Sequence, residues 1–158
     1  AGENELMKDL LDGFLKEHAE LRRAMAAMAR LLGKAEGVGW DDQMNLDLRR
    51  LKEAERQFSA MLKVHERMEE DRFSDLLRRL ASEGELPPQA LESRHAAVRD
   101  IFRLLETVTC LCDGQHVYAL RTLMTKVSED LERHLIYEEQ ELFPLLQSRF
   151  PDQPRSDP

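Results

Sequence analysis

Apolar residues return every third or fourth position along four stretches of this chain, and each stripe is broken by a histidine or by a histidine and a glutamate. An α-helix advances about 100° per residue, so positions three and four apart share one face. From near Glu5 to near Lys34 the stripe reads Met7, Leu11, Phe14, His18, Leu21, Met25, Met28, Leu32. A second begins after Trp40, with Asp41 or Asp42 as N-cap, and runs Leu51, Ala54, Phe58, Met61, His65, Glu69, Phe73, Leu76, Leu80. The third opens at Pro87-Pro88, since proline suits a first helical turn, and reads Leu91, His95, Val98, Phe102, Leu105, Cys112. The fourth follows Gly114 with Val117, Leu120, Met124, Val127, Leu131, His134, Glu138, Leu142, Leu145, and Pro144 is expected to kink or end it.

Glycine and proline cluster between these stretches, and no segment alternates with the period of two that a half-buried strand needs. The expected fold is therefore all-α, an antiparallel up-down four-helix bundle with short connections. A chain of 158 residues with 42% apolar content suits one domain, over 1–150, with the proline-rich 151–158 as a disordered tail. The halves echo each other: His18-Ala-Glu-Leu-Arg22 with His95-Ala-Ala-Val-Arg99, and His65-Glu-Arg-Met-Glu-Glu70 with His134-Leu-Ile-Tyr-Glu-Glu139. Two helical hairpins related by pseudo-symmetry are implied.

The net charge of −8 is interleaved along the chain, which argues against a nucleic-acid partner. There is no run of about 18 uncharged apolar residues and no basic-then-apolar leader, so no membrane role is expected and a cytoplasmic location is. Cys110 and Cys112 lie about 200° apart on a helix and read as ordinary thiols, neither bonded to each other nor sharing a metal.

A histidine and a glutamate at i and i+4 sit about 40° apart on one helix face and about 6 Å apart along its axis, so both point into the same core. Two such pairs, His65 with Glu69 and His134 with Glu138, joined by His18 and His95 from the other two helices, supply four imidazoles and two carboxylates. Each of two metal ions would take two histidines, and Glu69 and Glu138 would bridge. A lone histidine in an apolar stripe is ordinarily a hydrogen-bonded core residue. Six such residues at matching levels would instead leave two carboxylates desolvated without compensation, at several kcal/mol each. Imidazole and carboxylate without thiolate suit iron, manganese or zinc, and carboxylate bridging inside a bundle favours two iron ions. Glu70 and Glu139 fall about 100° beyond the proposed ligands and are expected to face solvent or to support them from behind. His116, eighteen residues before His134, lies about 27 Å away along the helix and belongs to no such centre. Trp40 and the methionines of the first helix read as packing.

The pattern His18, His65-xxx-Glu69, His95, His134-xxx-Glu138, closing with Glu138-Glu139-Gln-Glu-Leu142-Phe143-Pro144, resembles the hemerythrin-like, HHE cation-binding domain family over about residues 10–148. The resemblance implies a four-helix bundle with an oxo- or hydroxo-bridged non-haem di-iron centre that binds, senses or reacts with dioxygen, nitric oxide or peroxide. Oxygen-carrying members have a His-xxx-His pair on the third helix, whereas here Arg99 follows His95. The set of four histidines and two glutamates is more similar to di-iron proteins that repair iron-sulfur centres, without their cysteine-bearing N-terminal domain. Redox chemistry or sensing is thus expected ahead of reversible oxygen carriage. The alternatives are a metal-dependent regulatory module that docks on a protein partner without catalysis, or an iron-sulfur repair-like protein.

Overall fold

The computed structural model describes residues 6–34, 42–112 and 117–152, and these fold as an all-α bundle. Helix α1 spans Met7–Lys34, α2 Asp42–Ser82, α3 Ala90–Leu111 and α4 Val117–Tyr137. The fourth rod then continues through a π-helical turn, Glu138–Leu142, into a last short helix, α5, Phe143–Arg149. Trp40, Asp41, Gly114, His116 and 153–158 lie outside the described residues.

Side-chain pairs fix the directions. Phe14 near the start of α1 meets Phe73 near the end of α2. Thr109 at the end of α3 donates to Glu55 in the first half of α2, and Arg94 at its start reaches Glu69 further along. Arg22 of α1 binds Glu132 of α4, while the Met7 N–H donates to the Pro151 carbonyl at 3.0 Å. Sequence neighbours therefore run antiparallel and α1 closes against α4, as the up-down order requires.

The α2–α3 connection is built from local chemistry. Gly84, at φ 77°, ends α2, with Gly84 N–H donating to the Ala81 carbonyl and Glu85 N–H to that of Leu80. Pro87 and Pro88 form the following turn, the Pro87 carbonyl accepting from Ala90, so α3 begins three residues later than its prolines suggest.

All eight predicted stripe residues of α1 are buried. On α2 the inward line is Leu51, Glu55, Phe58, Leu62, His65, Glu69, Phe73, Leu77, Leu80, with Ala54, Met61 and Leu76 at its flank. The carboxylate of Glu55 is buried there and accepts from Ser59 and Thr109. On α3 the buried residues are Arg94, Ile101, Leu105, Val108 and Cys112; His95 and Cys110 are exposed.

Two apolar clusters fill the interior. One joins Leu21 to Leu32 of α1 with Met44 to Leu62, Ile101 to Cys112 and Leu120 to Leu135. The other, at the opposite end, joins Met7, Leu11 and Phe14 with Phe73, Leu77, Leu80 and the Leu142–Phe150 segment. Between them, at the levels of residues 18, 65–69, 94 and 134–138, all four walls contribute polar side chains to one layer.

Candidate metal centre

His18, His65, Glu69, His134 and Glu138 all lie in this layer and are at most 6% exposed. An amphipathic helix normally fills such positions with aliphatic side chains, so the layer costs the core apolar contact and must be compensated electrostatically.

One half of the layer is formed by α1 and α2. His18 Nε2 lies 3.2 Å from His65 Nε2 and 3.4 Å from Glu69 Oε1, and His65 Nε2 lies 2.8 Å from the same oxygen. The far nitrogens of both rings meet carboxylates, His18 Nδ1 at 2.7 Å from Glu139 Oε2 and His65 Nδ1 at 3.4 Å from Glu17 Oε2. With its proton drawn to Nδ1 by Glu139, a neutral His18 turns its Nε2 lone pair to the centre of the layer. Glu139 is in turn gripped by Arg22, whose two Nη atoms sit 2.8 and 3.0 Å from its oxygens. Partial burial pushes the Glu139 carboxyl upward, but Arg22 and His18 outweigh it and hold it below the ordinary carboxylate range. The walls are aromatic: Phe14 meets His65 edge-on at 5.6 Å, and Phe143 stacks on His18 at 5.5 Å.

The other half is formed by α2, α3 and α4. His134 Nε2 lies 3.1 Å from Glu66 Oε1 and 2.7 Å from Glu138 Oε1. The latter approach lacks hydrogen-bond alignment, and both oxygens of the fully buried Glu138 are left without a donor. Burial, opposed by His134 and reinforced by the neighbouring Glu69, pushes the Glu138 carboxyl up to about 8. Glu69 goes the other way: burial opposes its charge, but His18 and His65 outweigh it and hold the carboxyl well below its usual range. Burial also opposes charge on the two histidines of the i, i+4 pairs, yet the carboxylates prevail. Glu69 chiefly raises His65 to about 9, and Glu138 with Glu66 raises His134 to about 10.

His95 does not enter the layer. It is about half exposed on the outer face of α3, with Nε2 3.6 Å from Glu70 Oε2, and Arg94 turns inward instead. The placement has a physical cause. The stripe of α3 runs through Ile101 and Val108, and Arg94 stands two turns before Ile101 on the same line. Phe102, which belongs to the expected stripe through His95, lies on the flank under Lys63, whose Nζ is 5.7 Å from its ring. The paired acidic residues also differ, since Glu139 supports His18 from behind while Glu70 meets His95 at the surface. Glu66 is the residue that sequence reasoning missed. It lies next to His65 and off the strict stripe, and only the tertiary arrangement, in which α2 and α4 meet through side chains across the layer, reveals that it faces His134.

Ligand atoms on one ion with bonds of about 2.0–2.2 Å lie roughly 3 Å apart, and neighbouring donors within each half lie 2.7–3.4 Å apart. Two groups come together, each with its ligand atoms within 4.8 Å of one another: His18, His65, Glu69, Glu138, and Glu66, Glu69, His134, Glu138. Glu69 and Glu138 belong to both. The unpartnered oxygens of Glu138 and the convergent imidazole nitrogens fit a cation, and the all-nitrogen and oxygen donor set suits a first-row metal.

The π-helical turn begins at Glu138. Its extra residue shifts the register, so that Phe143 and Leu146 are buried and Leu145 only partly so, and Pro144 falls in the first turn of α5 without breaking the rod. A cleft of about 540 Å³ opens between α3 and α4 onto the second half of the layer, lined by Ala90, Ser93, Arg94, Ala97, His134 and Tyr137 among others. Among the described residues no helix is long and apolar enough to cross a membrane.

Residues 9–146 match the family model described as the hemerythrin HHE cation-binding domain. No curated protein and no solved structure matches the chain.

Proposed function

This chain belongs to the hemerythrin HHE cation-binding domain family, and on that premise we propose that its polar layer binds iron at two adjacent positions sharing Glu69 and Glu138. The loaded centre binds, senses or reacts with a small ligand such as dioxygen, nitric oxide or peroxide. Residues 1–150 act in this reading as one hemerythrin-like unit. The observation that carries it is Glu138, a carboxylate at 0% exposure with no donor on either oxygen, facing a second buried carboxylate. A protein interior tolerates such a pair when cations or protons compensate it; in the metal-free chain the Arg94 guanidinium, 3.8 Å from Glu138, and the His134 ring, 2.7 Å from it, take that part.

His18, His65 and Glu69 hold one position, and Glu66, His134 and Glu138 the other, with Glu69 and Glu138 reaching both. Bound iron supplies redox capacity and exchangeable coordination positions. The chain's own residues set the conditions. Glu139 keeps the His18 proton on Nδ1, Arg22 keeps Glu139 ionised, and Phe14, Phe73 and Phe143 exclude water from the α1–α2 side. The α3–α4 cleft admits a small molecule to the His134 side.

Anaerobic addition of nitric oxide, dioxygen or peroxide to the ferrous protein tests this reading. A changed optical spectrum with at least one of them is expected; iron-loaded protein whose spectrum is indifferent to all three contradicts ligand binding.

A further inference from the structure

The two positions are not equivalent, and the difference lies in Arg94. Its guanidinium is buried in the layer, with Nη2 2.5 Å from Glu69 Oε2, 3.6 Å from Glu66 Oε2 and 3.8 Å from Glu138 Oε2. One nitrogen thus stands where an oxygen from each of three carboxylates converges. Two of them, Glu69 and Glu138, are the shared pair, and their other oxygens face the histidines, Glu69 Oε1 toward His65 and Glu138 Oε1 toward His134. A bridging carboxylate needs both oxygens, and here the second oxygen of each is directed to Arg94. The guanidinium itself is incompletely satisfied, because its buried Nε has no acceptor.

Resting on the metal-binding reading above, we infer that Arg94 is a built-in cation that stands in for the second metal ion. The centre then loads in order: the His18–His65 position first, the Glu66–His134 position only as Arg94 withdraws. The charges agree. Glu66, Glu69 and Glu138 carry three negative charges when ionised, Arg94 offsets one, and a single divalent ion offsets the other two. A second divalent ion brought beside a retained guanidinium meets a like charge within a few ångströms. The α3–α4 cleft, which Arg94 lines, is the space into which its side chain would swing. The pseudo-symmetric counterpart of the first half, with His95 inward, is absent because α3 presents Arg94 at that level.

The test is a calorimetric titration of metal-free protein with Fe(II) under anaerobic conditions, with elemental analysis after desalting, on the wild type, Arg94→Met and Arg94→Lys. A like charge at this range predicts a second site at least about tenfold weaker than the first in the wild type. In Arg94→Met the second site should tighten by about the same factor, with two ions retained after desalting, and Arg94→Lys should keep the inequality. The metal-free Arg94→Met protein should also melt below the wild type, since three carboxylates then lack their cation, and Arg94→Lys should recover part of that loss. If Arg94→Met does not fold without metal, the Arg94→Lys titration and the wild-type inequality still decide. Two equally tight sites in the wild type, or a second site in Arg94→Met no tighter than before, overturn the role of Arg94 while leaving metal binding intact. Failure of all three proteins to take up metal overturns the binding reading and the ordering with it.

Discussion

The two halves of the polar layer arise from one repeated pattern, yet they are walled differently. On the α1–α2 side two imidazoles are backed by carboxylates and enclosed by Phe14, Phe73 and Phe143. On the α3–α4 side a single imidazole shares the space with three carboxylates and a guanidinium, next to a cleft. The comparison teaches that ligand identity alone does not set what a site can do. On the proposed metal-binding reading, the first half is preorganised by the carboxylates behind its imidazoles, and the second is kept adaptable by the Arg94 charge and an opening to solvent.

A residue common to both halves gives the largest expected effect. Glu69→Ala removes an oxygen donor from each group and should abolish the iron retained by wild type after anaerobic desalting and weaken both sites of the calorimetric titration. Loss confined to one position would show that the halves are independent. Next comes Glu139→Gln, which keeps the shape behind His18 but weakens its hold on the ring proton. Losing such a supporting carboxylate costs roughly 10–100-fold in metal affinity, and the loss should fall on the tighter site of the titration. An equal loss at both sites would erase the distinction drawn here.

How far the site was legible in the sequence follows from the same contrast. The inward face of α1 is legible because its eight residues keep an unbroken three-four spacing of large apolar side chains around His18, and all eight are buried. The polar residues of α2 and α4 stood out for the same reason. On α3 the stripe is degenerate: Ile101 and Phe102, or Leu104 and Leu105, are neighbours, so apolarity alone does not choose between adjacent lines about 100° apart. The choice is made by packing, which places Ile101 and Val108 inside and carries Arg94 with them. Arginine reads as a surface residue until its partners are known, and those partners come from α2 and α4. Glu66 and the π-helical turn were hidden likewise, because cross-helix contacts and a one-residue register shift leave no local signature.

A smaller effect appears in the pH dependence of the metal-free protein. His65 and His134 are raised from about 6.5 to about 9 and about 10. The folded state thus holds protons that the unfolded state releases. Their contribution to stability is fully present below pH 6.5 and is lost as pH rises through 9 to 10. Glu138, raised to about 8, acts in the same direction from its ordinary value near 4.5 upward. Thermal melts of metal-free protein should therefore fall steadily from neutral to alkaline pH, and metal loading should flatten that decline because the ion replaces the protons. A metal-free melting temperature that rises over the same range would reverse the assigned charges. The smallest effect belongs to His95→Ala. With its ring about half exposed against Glu70, the change should leave iron content intact and alter stability by less than about 0.5 kcal/mol. A clear loss of iron in this variant would return His95 to the centre.

The most direct test is iron K-edge X-ray absorption on protein loaded with one equivalent of Fe(II) under anaerobic conditions. The account predicts a shell of nitrogen and oxygen donors without sulfur, and outer-shell scattering from about two imidazoles, as His18 and His65 require. A spectrum indistinguishable from solvated iron, with no imidazole scattering, would contradict the claim that the buried histidines and glutamates of this layer are gathered around a metal.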